Sequence, residues 1–267
     1  MVLPAPITIT AIIMKRTAIM RTATITTKDA VQTQGSNSNG GDRLLALLQV
    51  TNAAFPTGAF THSYGFETWL HDGTILKAAD AEQRCTDWLR FNLATGDAAA
   101  VALAYRCCVF DHMQGIEAID RQVGAIKLSR ETRTASVMTG AALVASGKDI
   151  FDLPQISQLA EKIAAGECEG HHAIVYAALA CGLGFSEKEA VTSFLWASFS
   201  SLVGVVQRLV PLGQTEAQRM VANAATLVEH CSEIARTREL RHLSSSFVTL
   251  DIASMRHERL QTRLCIS

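Results

Sequence analysis

Beyond Asp42, apolar residues recur every three or four positions, and the signals that begin and end helices stand between these runs. Ser186 and Glu189 match a capping box, Pro154 stands where a first helical turn tolerates proline, and Pro211 stops the longest apolar run. No segment here alternates apolar and polar residues as a half-buried strand does. With only five prolines and abundant Ala and Leu, the sequence predicts an all-α fold. We expect one globular, bundle-like domain of about ten helices over residues 42–267.

Gly, Pro and capping residues divide this domain into its expected helices. In the helix predicted at 129–146, Ala135, Met138, Ala142 and Ala145 share one face, a small-residue stripe that would allow close helix approach. Thr215 and Gln218 match a second capping box, which predicts one helix from 215 to about 238. The other helices are expected near 42–55, around 70, and at 77–95, 97–112, 115–126, 154–165, 172–182, 187–210 and 250–259.

The first 41 residues differ in composition from the rest. They are rich in Thr and Ile, carry no acidic residue before Asp29, and end in the linker-like run QGSNSNGG at 34–41. A basic, acid-poor start is also typical of organelle transit peptides, although its β-branched residues disfavour an amphipathic helix. We interpret residues 1–41 as a disordered or non-native extension, with Met14 and Met20 as rival start positions.

Charge and cysteine usage favour a cytoplasmic protein. The formal net charge is −1, so no global basic field predicts binding to nucleic acid or to an anionic membrane. No uncharged apolar run is long enough to cross a bilayer. The seven cysteines show no C-x-x-C pair or regular framework, which is typical of reduced thiols packed as small hydrophobic residues.

Motifs that would indicate catalysis fail at particular residues. Gly147-Lys148 is followed by Asp149 where a phosphate-binding loop needs Ser or Thr, and an acid there would repel phosphate. Thr61 stands where a nucleophile elbow around Ser63 requires glycine. We therefore predict no catalytic residues and no enzyme activity, with a hydrolase using Ser63 as the alternative.

A possible metal site lies at Cys168, Glu169, His171 and His172. Adjacent histidines on a helix point about a third of a turn apart, so one metal ion would not take both easily. We predict no metal site, with Cys168, His171 and His172 as the alternative ligands.

Three stretches are more specific than a generic helical domain requires. They read FPTGAFTHSYGFE at 55–67, VQRLVPLGQTEAQ at 206–218 and DIASMRHERL at 251–260. In order and spacing, from about Asp42 to the C-terminus, they resemble the UreF family of urease accessory proteins. Gly170-His171 and Val175-Tyr176 fit the same pattern.

The resemblance implies an all-helical homodimer that does no chemistry of its own. It would bind a UreD/UreH-type accessory protein, recruit and regulate the nickel-carrying GTPase UreG, and help present nickel to apo-urease. No cofactor would be bound tightly, because nickel is handled by the complex. The alternative function is a direct nickel metallochaperone using His171 and His172.

The partner-binding residues are expected in these three stretches. We expect the loop to expose aromatic and histidine side chains, and the short terminal helix to have little core around it. The turn at 211–214 would either fix the angle between two long helices or contact a partner directly. Gln261 and Cys265 stand where the family typically has aromatic residues. This difference predicts that the tail binds the UreD/UreH-type partner more weakly. The predicted set is Phe60, His62, Ser63, Tyr64, Glu67, Gln214, Arg256, His257 and Glu258.

Overall fold

The computed structural model describes residues 40–267, and within them it confirms the all-α prediction. The expected disordered extension lies outside the described residues, except that Gly40 and Gly41 open the first helix. Short 3-10 turns lie at Ala59–Thr61 and Leu240–His242, and a π-turn at Leu89–Leu93 continues the third helix. The α-helices are α1 (Gly40–Val50), α2 (Phe66–His71), α3 (Ala78–Trp88), α4 (Asp97–Val109), α5 (Met113–Ile126), α6 (Arg130–Phe151), α7 (Pro154–Ala164), α8 (His172–Gly182), α9 (Glu187–Leu209), α10 (Gln214–Asn223), α11 (Ala225–Thr237) and α12 (Val248–His257).

Helices α4 and α8 form the centre of the bundle. Both are rich in alanine and buried over most of their length, as expected for helices that are apolar on all sides. Small side chains let the two helices pack against each other, and α5, α9 and α11 surround α4 while α6, α7 and α9 surround α8. The core therefore depends on close helix approach more than on bulky side chains.

The π-turn at the end of α3 leaves main-chain carbonyls available to another segment. The Phe91 carbonyl accepts a hydrogen bond from the Ser246 amide at 2.9 Å, and the Thr95 carbonyl accepts one from the Ser244 amide at 3.1 Å. The Asn92 side chain also donates to the Ser245 hydroxyl at 2.9 Å. These bonds fix the segment that leads into α12.

The predicted helix from Thr215 to about 238 is wrong as a single element. The structure divides it at Ala224 into α10 and α11, and α10 begins after Gly213 with no side-chain cap from Thr215. Both halves pack against α9, and the buried Ala224 lies at the bend between them. The largest other differences in helix boundaries are at α1, which ends at Val50 before Pro56, and at α6, which continues to Phe151.

The buried face of α6 also differs from the predicted one. Ala135 is buried, but Met138 is 49% exposed, and the rest of the buried face is Ser136, Thr139, Gly140, Leu143 and Gly147. Close approach is made at Gly140, where an added Cβ would lie 1.9 Å from the Gly170 carbonyl oxygen. Alanines stand on several sides of this helix, so periodicity alone does not identify the packed side.

Helix α9 is long and apolar enough to cross a membrane by length and composition alone. In the bundle it contacts α4, α8 and α11, and 56% of its most apolar window is buried. Within residues 40–267 it is therefore a core helix.

Candidate partner-binding site

The C-terminal tail, residues 258–267, lies along the loop at residues 55–67. The Ile266 amide donates to the Thr61 carbonyl at 2.9 Å, and the Ser267 carbonyl accepts from the amides of Ser63 and Tyr64. The Ser267 hydroxyl also pairs with His62 Nδ1 at 2.7 Å. Two segments from opposite ends of the domain are thus joined by main-chain hydrogen bonds.

Glu67 is the main anchor for this tail. Its carboxylate accepts hydrogen bonds from the Leu264 amide at 2.6 Å, the Cys265 amide at 3.0 Å and His257 Nε2 at 3.0 Å. Burial alone would raise the pKa of Glu67, but the Leu264 amide, His257 and the Cys265 amide together hold it below its ordinary value. The stability that these bonds give is present above the ordinary glutamate pKa and is lost as the pH falls through the lowered one.

His257 connects this anchor to α6. Its fully buried ring lies between two carboxylates, with Nε2 on Glu67 and Nδ1 on Glu131 at 2.7 Å. Arg263 of the tail reaches the other oxygen of Glu131 at 2.9 Å, so the tail is held by charge as well as by its main chain.

Helix α12 packs tightly on the loop because residue 65 is glycine. Gly65 has φ of +97°, and an added Cβ would lie 2.7 Å from the Ser254 main-chain nitrogen. The Thr68 hydroxyl donates to the Ala253 carbonyl at 2.9 Å. The first and third of the specific stretches, the loop and the one that α12 carries, are therefore one packed unit.

The expectation that the loop exposes its aromatic and histidine residues is wrong except at Phe60. Phe60 is 53% exposed, and the Arg208 guanidinium lies over its ring at 5.8 Å. His62, Ser63 and Glu67 are buried, while Tyr64 is half-buried. The returning tail covers this side of the loop, which the local sequence could not reveal.

The expectation of little core around the terminal helix is wrong as well. Leu250, Ala253 and Ser254 are buried together with His257. Arg256 remains exposed, with 63% of its side chain accessible and a 3.4 Å contact to Asp72. His257 therefore cannot contact a partner directly while this packing is intact.

Two other predicted residues lie at the surface. Glu258 pairs with Arg130 at 2.8 Å beside the end of α12. Gln214 is exposed at the start of α10, which packs against α9 and α11. The structure therefore gathers the predicted loop and tail residues in one region and places Gln214 on a different element.

Exposed apolar side chains around the docked tail were missed by the sequence prediction. Leu264 is 82% exposed and Ile266 is 57% exposed, and both stand in the tail that runs beside Phe60. We call these three residues the loop–tail patch. The signal available in the sequence was the presence of apolar residues in an otherwise polar terminal segment. A separate exposed stripe on α12, at helical spacing, consists of Val248, Ile252 and Met255.

The candidate metal ligands are not brought to one centre. His171 is fully buried at the start of α8, with Nε2 3.6 Å from Glu169, whereas the His172 ring packs beside Phe194 at 5.2 Å. Burial lowers the pKa of His172 to about 4. In the part of the chain that the structure describes, no three His, Cys, Asp or Glu side chains form a group that could hold a metal ion.

His172 instead lines a partly open pocket of about 90 Å³ with both polar and apolar walls. Lys127 and Asp97 line the same pocket and form a buried ion pair at 2.8 Å. Asp251 Oδ2 has no hydrogen-bond partner among the described residues, nor have the hydroxyls of Ser136 and Thr139. A pocket with such polar groups is suited to ordered water. The sequence prediction had missed this cluster because its members come from distant helices.

The geometry does not support Ser63 as a nucleophile. Its side chain is fully buried, and the neighbouring His62 ring is hydrogen bonded to Ser267 instead. An activated serine needs a base within hydrogen-bond reach, and no described residue takes that place.

Comparison with known proteins agrees with the resemblance found in the sequence. The UreF family model matches residues 75–225. A urease accessory protein UreF from Geobacillus kaustophilus is 32% identical over 225 residues, covering 84% of this chain and 98% of the relative. One from Lachnoclostridium phytofermentans is 30% identical over 224 residues, again covering 84% of this chain and 98% of the relative. The chain therefore belongs to the UreF family of urease accessory proteins.

Proposed function

We propose that this chain is a cytoplasmic adaptor in urease maturation. As a homodimer, it assembles with a UreD/UreH-type accessory protein and a UreG-type GTPase, regulates the GTPase, and so promotes delivery of nickel to apo-urease. Membership of a family named for its accessory role supports this proposal. Nickel is the cargo of the complex in this scheme.

The observation that carries the proposal is the loop–tail patch. Phe60, Leu264 and Ile266 are held outward by main-chain bonds and by the buried Glu67 and His257 pair. Large apolar side chains exposed on a fixed backbone can bind a partner with little loss of conformational entropy. We assign this patch to the UreD/UreH-type partner.

The first test replaces all three patch residues. The triple variant Phe60→Ser, Leu264→Ser, Ile266→Ser should weaken the complex with the cognate UreD/UreH-type protein roughly 100-fold, because each apolar anchor contributes about 1 kcal/mol or more. Affinity is measured by titration calorimetry, and complex formation by size exclusion. A matched control, Val109→Ser with Phe110→Ser, removes two exposed apolar side chains at the end of α4 and should bind normally. Normal binding by the triple variant would remove the patch from the interface.

Arg256→Ala tests the polar edge of the same region. Its contact with Asp72 is exposed, and such pairs contribute about 0–1 kcal/mol to stability. We expect the melting temperature to stay nearly unchanged while assembly with the partner weakens. Thermal melts and the binding titration are run side by side. A large fall in melting temperature would show that Arg256 is structural instead.

The whole scheme is tested by reconstitution. Purified partners, nickel, GTP and apo-urease are combined with and without this protein, and urease activity is measured. Unchanged activation without it would contradict the adaptor role, and a monomer in light scattering would contradict the homodimer.

A further inference from the structure

Arginines surround the loop–tail patch. Arg263 lies in the tail that carries two of the patch residues, and Arg130 lines the same surface groove as Ile266. The exposed Arg208 guanidinium lies over the Phe60 ring and donates to the Phe60 carbonyl. We call Arg130, Arg208 and Arg263 the arginine collar. They come from α6, α9 and the tail, so only the fold places them around one apolar patch.

The collar presents its positive charge outward. Arg130 pairs with Glu258 at 2.8 Å, and 79% of the arginine side chain is accessible against 26% of the glutamate. Arg263 and Glu131 show the same order, with 39% and 12%. The surface ion pair between α9 and α11, by contrast, exposes its lysine and its glutamate almost equally, at 56% and 51%. An approaching molecule therefore meets the guanidinium groups, with the carboxylates behind them.

Arg208 adds a charge without a counterion. Among residues 40–267 no carboxylate forms an ion pair with its guanidinium, which instead contacts the carbonyl and the ring of Phe60. The surface around the patch is therefore positive, although the whole chain has a formal net charge of −1. A positive ring around apolar side chains is complementary to a protein face that is apolar in its centre and acidic at its edge.

We propose that the arginine collar attracts and binds an acidic rim around an apolar face of the UreD/UreH-type partner. The inference rests on the proposed function and deepens it, because it states which chemistry the partner presents to the loop–tail patch. Guanidinium groups bind carboxylates through two parallel hydrogen bonds. Opposite charges at the edge of an interface mainly raise the rate of association.

The test measures association and dissociation rates of the full-length protein with the cognate UreD/UreH-type protein by surface plasmon resonance. The wild-type association rate should fall steeply as the salt concentration rises from about 0.01 M to about 0.15 M, because the screening length shortens from about 30 Å to about 8 Å. The dissociation rate should change much less. An association rate that does not depend on salt would contradict the proposal.

Two triple variants separate charge from geometry. Arg130→Gln with Arg208→Gln and Arg263→Gln should associate about 10-fold more slowly at low salt, with little salt dependence left. Arg130→Lys with Arg208→Lys and Arg263→Lys keeps the charges but loses the planar guanidinium groups, so it should associate at nearly the wild-type rate and dissociate faster. Deuterium exchange of the Leu264 amide checks that the tail stays docked in both variants.

The matched control removes three charges at the far end of α9, with Arg43→Gln, Arg238→Gln and Arg241→Gln. Arg43 pairs with Glu189 in the first turn of α9, and the other two follow α11, whose last turn pairs with the same end of α9. Arg208 stands in the last turn of α9, about 30 Å along the helix. The control should therefore associate within about twofold of the wild-type rate.

The outcomes distinguish this inference from the adaptor role. Association of the glutamine variant at the wild-type rate in low salt, or slow association of the lysine variant, would overturn the collar while leaving the complex intact. Absence of any complex would contradict the adaptor role as well. Binding of the wild type to phosphatidylglycerol vesicles as tightly as to the partner, with loss of that binding in the glutamine variant, would assign the collar to a membrane surface and overturn the proposal.

Discussion

Gly140→Ala is expected to cause the largest loss of stability of any single methyl addition in α6. The new Cβ would lie 1.9 Å from the Gly170 carbonyl oxygen. Its nearest atoms all belong to the main chain of Gly170 and His171, so no flexible side chain can move aside. We expect a cost of about 3 kcal/mol or more in the free energy of unfolding. For a domain of this size that lowers the melting temperature by roughly 6–12 °C, as measured by calorimetry.

Gly147→Ala is the matched control on the same helix. Its added Cβ would meet only side-chain atoms of Ile156 and Leu179 at 3.6 Å or more, which is ordinary contact. Alanine also favours the helix over glycine by about 0.5–1 kcal/mol, so this variant should melt at the wild-type temperature or slightly above. Equal melting of the two variants would show that α6 does not approach the 170 backbone as described.

His257→Ala is expected to release the C-terminal tail and to destabilise the domain by about 3–5 kcal/mol, because it leaves the buried carboxylates of Glu67 and Glu131 without their shared hydrogen-bond partner. In the wild type the amides of Leu264 and Cys265 donate to Glu67. In the variant they should exchange with deuterium much faster. Hydrogen exchange followed by mass spectrometry measures the release, and a thermal melt measures the stability.

Arg263→Ala provides the comparison for His257. It removes the 39% exposed partner of Glu131 and keeps the buried imidazole, so the loss should be within about 1 kcal/mol. Unchanged protection of the tail amides in His257→Ala would show that the main-chain bonds at Thr61 and Ser267 hold the tail without His257.

Local signals predicted the helices well and the tertiary contacts poorly. The capping box at Ser186 and Glu189 is present as predicted, because both partners lie within one turn. The break at Ala224 and the packed face of α6 were missed, since each depends on what a helix meets on its far side. Gly140 is significant only beside Gly170, thirty residues away.

The same limit applies to the candidate site. Family resemblance directed attention to the loop and to α12, and the structure does bring them together through Gly65 and Ser254. The family resemblance could not show that Glu67 accepts hydrogen bonds from amides almost two hundred residues further on. For this reason His62 and His257, which were expected at the surface, proved to be buried. Leu264 and Ile266 were overlooked because a polar, non-periodic tail gives no indication of which side chains point outward.

The number of residues in the π-turn at Leu89–Leu93 affects the contacts that the end of α3 makes with residues 244–246. A π-turn accommodates one residue more than a regular α-helical turn, so deleting one residue there would let the helix become regular. In a regular helix the Phe91 carbonyl would accept from the amide four residues further on, and it would no longer be free for the Ser246 amide that it accepts from here. Insertions and deletions in this stretch are therefore coupled to residues 244–246, and a chimaera between relatives should exchange the two segments together.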